Sequence, residues 1–331
     1  MNRREALKSL TALGTLGAMG WSATAGRALA AGGASSSGPV RITLPSTGSA
    51  GSVWRPLIDQ NHFDQGLDLH WVTADPGSMQ VQLTAGSLDV GVFGAVGLAT
   101  LVNKGSDIVL FGPALNNHGR WLVKADSPYR TPRDLIGKPI ASTAETSETW
   151  QQALIAAHLD GLDLRKDFKV IHGSPTANLA LFQRGDVEAI VTLEPTASRL
   201  VAQGAREIAR VADIWKHATG ERNSPFLVGL AASRRWLDAN RDTAQRIVKM
   251  FVEVNGFVHR RPQSLTQIAT QIGFRPDETA AAALLPQRLT DAYATAWDTE
   301  TFATIDKQID TAVSLGILAK KPNRQIYTQL S

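Results

Sequence analysis

Two turns rich in hydroxyls and small residues mark the places where this chain could hold a small ligand. Pro45-Ser46-Thr47-Gly48-Ser49 ends the alternating segment Val40–Leu44 and leads into a helical stretch around Trp54. Further on, Thr143 to Thr149 ends the segment Lys138–Ser142, and Thr146 and Ser147 again stand before a helix. Free N–H groups at a helix start, the positive end of the helix dipole and hydroxyl donors together favour an oxyanion. Glycine at position 48 lets a ligand approach the backbone. Serine and threonine before a helix are also ordinary N-caps, and for either turn alone capping is the simpler reading. Two more strand ends add candidates: Gly94-Ala95 after Asp89–Phe93, and Glu194 after Ala189–Leu193. Glu194 either accepts a hydrogen bond from a ligand amine or hydroxyl, or holds a hinge. Glu145 is either a weaker candidate for the same contact or a first-turn acid favoured by the dipole. Asn117 ends a further strand region and joins the candidates, whereas the adjacent His118 is read as structural. Trp54, Trp121 and Trp150 either wall the site or fill the core.

The chain contains no cysteine. Thiol nucleophiles, thiolate zinc sites, iron–sulfur clusters and disulfides are therefore excluded, as is the cysteine-linked lipid anchor of bacterial lipoproteins. No His-Glu-x-x-His pair, Gly-x-Ser-x-Gly elbow or phosphate-binding loop occurs. The expectation is a binding protein that turns nothing over and needs neither cofactor nor metal.

The elements that must position these residues alternate between strand and helix. Val40–Leu44, Gly66–Val72 and Asp89–Phe93 read as strands, separated by helices around Trp54–Ile58 and Met79–Thr84. The order then recurs, with strands at Lys138–Ser142 and Ala189–Leu193 and helices at Trp150–Ile155 and Asn178–Gln183. Gly86-Ser87-Leu88-Asp89-Val90 echoes Gly185-Asp186-Val187-Glu188-Ala189. Such alternation implies parallel βαβ units, and the recurrence implies two similar α/β lobes. Open sheets of this kind bind ligands beyond the carboxyl ends of their strands, so two facing lobes would enclose a cleft lined by the turns named above. Arg120–Val123 and Pro225–Leu230 read as two crossings between lobes. From Arg234 onward the chain is mostly helical, with a stripe of Leu237, Ile247, Val248, Phe251, Val254 and Val258 to pack on the first lobe.

Length and charge agree with this. A chain of 331 residues with 43% apolar residues can bury two cores. Its net charge of +4 includes +3 from the first thirty residues (Arg3, Arg4, Lys8 and Arg27 against Glu5), so the body is nearly neutral and lacks the basic stripe of a nucleic-acid binder. Arg3-Arg4, a weakly apolar run to about Ala25 and Ala28-Leu29-Ala30 have the order of a cleavable export signal, of the twin-arginine type. Residues 1–30 are read as that signal and 31–38 as a flexible lead.

Several segments resemble the substrate-binding proteins of the taurine, alkanesulfonate and nitrate ABC importers: Gly66–Val72, Ala85–Gly91, Asp126-Ser127-Pro128 with Asp134–Ile140, and Leu193-Glu194-Pro195. The resemblance runs from about Val40 to Asn240. It implies an α/β, two-lobed type II periplasmic-binding fold, each lobe a mostly parallel sheet flanked by helices. We place lobe 1 at 39–124 plus 229–331 and lobe 2 at 125–228. It further implies a soluble periplasmic protein, a monomer, that closes on a small polar organic anion and meets an ABC permease and its ATPase transiently. The sequence departs from the family's Pro-Pro after the third strand, where Gly94-Ala95-Val96-Gly97 stands. It also has Ala144-Glu145-Thr146-Ser147 where Lys-Gly-Ser is frequent, which argues against a bare inorganic anion. A pyrimidine-like or aromatic acid ligand, a sensor role and a cofactor-free enzyme on the same fold are the alternatives. N-terminal sequencing of the protein from fractionated cells should read from Ala31 in the periplasmic fraction, and replacing both Arg3 and Arg4 by lysine should abolish export if the twin-arginine route carries it. A chain retained whole in the cytosol would contradict the export reading.

Overall fold

The computed structural model describes residues 38–74 and 76–330. The expected signal and residues 31–37 lie outside them. The first half opens with strand β1 (Val40–Pro45), helix α1 (Trp54–Asn61), β2 (Leu69–Ala74), α2 (Pro76–Ala85), β3 (Gly91–Phe93), α3 (Ala95–Asn103) and β4 (Ile108–Asn116). After β5 (Gly119–Val123) come β6 (Pro139–Ser142), α4 (Glu148–Leu159), β7 (Lys169–His172), α5 (Pro175–Arg184), β8 (Ala189–Leu193), α6 (Thr196–Ala202), β9 (Arg206–Arg210) and α7 (Val211–Thr219). The chain ends with β10 (Phe226–Ser233), α8 (Arg234–Ala239), α9 (Arg241–Arg260), α10 (Ser264–Gln267), α11 (Thr279–Leu289) and α12 (Thr299–Ser314).

The two halves are built on one plan. In the second, the strand order is β7-β6-β8-β5-β9. In the first, β2 pairs with β1, a parallel bridge from Ile42 to Val90 carries β1 on to the β3 edge, and β3-β10-β4 completes the row. Both therefore read second, first and third strand, then an antiparallel strand, then the last. The recurrence seen in the sequence holds along the half: α2 at Pro76–Ala85 matches α5 at Pro175–Arg184, 99 positions on. The antiparallel strand of each sheet is supplied by the crossing chain, β5 against β8 and β9, and β10 against β3 and β4. By pairing, β5 thus belongs with the second sheet, although the sequence places residues 119–124 in lobe 1. Its completely buried sequence Gly-Arg-Trp-Leu-Val suits the centre of a sheet. Strands β7 and β9 escape a reading from pattern because both are short and polar, Lys-Val-Ile-His and Arg-Glu-Ile-Ala-Arg.

The three tryptophans singled out above are core. Trp54 lies edge-on to Phe251 at 4.9 Å, Trp121 packs on Phe168 and Trp150 on His172. In α9 the expected stripe is buried at Ile247, Phe251, Val254 and Val258 and packs on α1 and β4. No helix among the described residues is long and apolar enough to cross a membrane. Asn255 is the polar pin of this core: its Oδ1 accepts from Trp54 Nε1 (3.0 Å), and its Nδ2 donates to the carbonyls of Ala114 (3.1 Å) and Ala294 (2.6 Å). Asn255→Leu leaves the Trp54 indole N–H and the Ala294 carbonyl without a partner, while Ala114 O keeps the Ala294 N–H, and each such bare group costs about 1–3 kcal/mol. Urea denaturation should show a loss of at least ~2 kcal/mol; an unchanged midpoint would contradict this role.

Candidate functional site

The first hydroxyl-rich turn folds largely onto itself. The Ser49 hydroxyl donates to the Ser46 carbonyl (2.7 Å) and the Ser52 hydroxyl to the Ser49 carbonyl (2.6 Å). Gly48 is left-handed (φ 85°), and its N–H donates to Ile272 O at 2.9 Å rather than standing free. Ser49 makes no side-chain cap bond, and a 3-10 turn, Ala50–Val53, intervenes before α1. What the sequence did not signal is a cation beside this turn. Arg199, on α6, reaches to within 4.0 Å of where a Gly48 side chain would begin. Arg199 Nε meets Glu278 at 3.0 Å, its Nη2 donates to Gly273 O at 2.9 Å, and its guanidinium lies over the Phe274 ring at 4.0 Å.

The second turn realises the capping alternative. Ser147 Oγ accepts from the Trp150 N–H (3.3 Å) and shares a hydrogen bond with Thr143 Oγ1 (2.6 Å). Thr146 is exposed. Glu145 is exposed too and lies 3.5 Å from His172 Nε2.

At Gly94-Ala95 the structure brings together two helix starts that the sequence keeps fifty residues apart. Glu148, the first residue of α4, extends to the start of α3, where its carboxyl accepts from the N–H groups of Gly97 (3.4 Å) and Val96. Gln152 Nε2 donates to its other oxygen at 2.7 Å. A Cβ on Gly94 would fall 2.0 Å from the Glu148 carboxyl carbon, so glycine is what admits the acid. Burial pushes the Glu148 pKa up to about 7, with Gln152, Gly97 and Val96 pulling the other way. Glu148 was not among the expected residues. A first-turn glutamate is the commonest of helix features, and only the folded register sets it against Gly94.

Glu194 is held within the protein. Both its oxygens are taken by the chain's own donors: Oε1 by Arg288 Nε (2.8 Å) and Arg120 Nε (3.3 Å), Oε2 by the N–H (2.9 Å) and hydroxyl (2.7 Å) of Ser198. Arg288 also meets Glu207 at 2.6 Å, and Arg120 Nη2 donates to Arg288 O at 2.8 Å. This buried cluster joins β5, β9 and the β8–α6 corner of the second half to α11. Two arginines and Ser198 hold the carboxylate, a set of bonds that fits the hinge alternative. Burial lowers the Arg120 pKa, opposed by Glu194 and Glu207. Burial also works against the Glu207 carboxylate, but a hydrogen bond from Arg210 and the charges of Arg120 and Arg288 outweigh it and hold the pKa below the ordinary value. Asn117 belongs to the same crossing: its Oδ1 accepts from the Gly119 N–H at 2.9 Å and its N–H donates to Pro225 O at 2.8 Å. His118 is buried with Nδ1 on Asn116 O (2.9 Å), and burial lowers its pKa to about 4, so it is neutral at neutral pH.

The family model described as the NMT1-like family matches residues 73–273, more than half of the chain. The chain belongs to the NMT1-like family. Among solved structures, it is similar to the periplasmic aliphatic sulphonate binding protein SsuA of Escherichia coli, at 23% identity over 88% of this chain and 94% of that one, with a TM-score of 0.69. It is similar to the alkanesulfonate-binding protein SsuA of Xanthomonas axonopodis pv. citri, bound to MOPS, at 22% identity over 88% and 98%, with a TM-score of 0.70. The desulfurization enzyme DSZB shares the fold at 15% identity over 86% and 94%, with a TM-score of 0.60. No curated protein sequence matches. The expected two-lobed periplasmic-binding fold is thereby met. Among the described residues of this NMT1-like chain, no group of three His, Cys, Asp or Glu is placed to hold a metal. A surface hollow of about 440 Å³ is formed by α12 and the 321–327 segment, not by strand ends, and its polar groups have partners, Lys321 with Asp310, Tyr327 with Asp306 and Arg324 with Asp107.

Removing one member of a buried ion pair typically costs about 3–5 kcal/mol, because the other charge is left uncompensated. Glu194→Gln should therefore destabilise the protein by roughly 3 kcal/mol in denaturant titration and weaken every ligand alike. A variant as stable as wild type that loses affinity only for amine-bearing ligands would return Glu194 to the ligand.

Proposed function

We propose that this chain is the exported solute-binding component of an ABC importer, which captures a small polar organic anion of the sulfonate or taurine kind by closing one lobe on the other. The observation that carries this reading is the exchange of strands. Two sheets of identical order are joined where β5 and β10 cross, and their carboxyl-end turns are opposed, with α4 against the α3 start and Arg199 of α6 against the Ser46–Ser49 turn. We take lobe 1 as 38–117 with 226–330 and lobe 2 as 118–225, divided by strand pairing. An anionic head is best accommodated between Arg199 and Ser46, Thr47, Gly48 and Ser49, where a guanidinium and hydroxyls meet. Thr146 and Ser147 flank the opposite wall with Gly94 and Ala95. Asn117 and Glu194 serve the crossing. The solutes named for the two sulfonate-binding proteins of this fold support the same class.

Binding without turnover is supported by the missing cysteine and by the use of Glu194, His118 and Asn117 in structural bonds. Delivery to a permease and its ATPase, a monomeric state and a soluble, unanchored periplasmic location complete the proposal. The Glu148 carboxyl on the first-lobe side favours a second reading, a donor-rich heterocycle of the pyrimidine kind in place of a bare anion.

Thermal unfolding against taurine, ethanesulfonate and a pyrimidine base tests this. A solute at about 100 times its dissociation constant stabilises by ~2.7 kcal/mol, a rise of about 4 °C in Tm for a chain of this size. Chromatography after incubation should return the solute unchanged. A chemically altered solute would make the chain an enzyme, and no shift with any of the three would remove the proposed ligand classes.

A further inference from the structure

The start of α3 is closed by the protein's own acid. Exposed amides at a helix start, beside a glycine, form the kind of seat an anion takes. Here the occupant is Glu148, reaching across from the second lobe to Val96 and Gly97 through the gap that Gly94 leaves. The carboxyl is also tied to the hinge. Gln152 donates to Glu148 Oε1 (2.7 Å) and accepts from Gln308 Nε2 (2.7 Å), and Gln308 donates again to Phe226 O (2.8 Å). Gln152 and Gln308 are 1% and 0% exposed, and Phe226 is the first residue of the crossing strand β10. Opening the lobes must break the contact at α3, and that break is linked by buried hydrogen bonds to the strand about which they would turn.

We propose that Glu148 is a latch that holds the cleft shut in the absence of solute and is worked by a proton. It does not depend on which solute the cleft takes or on transport.

No charged side chain offsets the burial of this acid. Helix α3 and strand β10 contain none. On α12, Lys307 is spent on Glu221 at 2.7 Å, and Gln308 is what faces α4. On α7, which also packs on α4, Asp213 lies beside Arg210 and His217 beside Asp160, near the far end of α4, and the remaining charge is Lys216. Glu145, just before α4, is held at His172. Closed, the carboxyl has its pKa raised to about 7 from an ordinary 4.5. Opened into water, it returns towards the ordinary value. Closing therefore takes up a proton between these two limits. Closure is favoured fully below the lower limit and weakens as pH rises through the interval to about 7.

Small-angle scattering of the mature chain without solute, at pH 8 and pH 5.5, reads the latch directly. The wild type should be the more compact at pH 5.5. Glu148→Gln, neutral and of the same shape, should be compact at both values, and Glu148→Ala expanded at both. Carbon-13 NMR of the glutamate carboxyls, with Glu148 identified by its absence in Glu148→Gln, should give a midpoint well above 4.5. An unchanged wild-type radius, a Glu148→Gln variant that expands at pH 8 as the wild type does, or a Glu148 midpoint at the ordinary value would overturn the proposal, even if Glu148→Ala fails to fold. Because no solute is present, these results stand apart from the ligand experiment above.

Discussion

Each sheet of this protein is finished by a strand that arrives only after the chain has crossed from the other half. β5 is clamped between β8 and β9, and β10 between β3 and β4. A sheet missing its fourth strand would expose an edge on both neighbours, so neither lobe is complete without the crossing. The crossings are consequently fixed at their ends, and the short links before them, at Asn117-His118 and near Pro225, are bonded to each other through the Asn117 N–H and Pro225 O. The buried Glu194–Arg288–Arg120–Glu207 cluster lies beside this point and ties α11 to the second sheet. Charges taken from water return little net stability, but they tolerate few arrangements, which suits a joint that must return to one geometry.

The pseudo-symmetry of the halves also sets what meets across the cleft. A start of the first helix in one lobe faces the start of the third helix in the other, twice over: Glu148 at α3, and the Ser46–Ser49 turn near Arg199 of α6. One meeting carries an acid and the other a base. Both are already engaged by the protein, the base by Glu278 and the Gly273 carbonyl and the acid by Gly97 and Gln152.

The plan of the fold was legible because periodic strands, breakers and the echo near 99 positions are local signals. The site was legible only at its strand ends. Ser46–Ser49, Gly94-Ala95 and Thr146-Ser147 fall at the carboxyl ends of strands, as the alternation required. The partners of those ends were not legible. Glu148 and Arg199 are ordinary helix residues whose importance comes from what the closed fold sets opposite them. Glu194 is equally apt in the sequence for ligand or hinge, and its partner Arg288 stands 94 residues later on a helix with no motif of its own.

The cysteine-free chain allows two introduced cysteines to be the sole labels. Val81 on α2 and Ile136 before β6 are 69% and 50% exposed, one in each proposed lobe. Single-molecule distance measurement between labels at these positions tests the central claim, that the halves move as bodies about the two crossings. The account predicts two distances without solute, exchanging, and a shift to one of them on adding the solute that stabilises the protein. A single distance, the same with and without that solute, would contradict it.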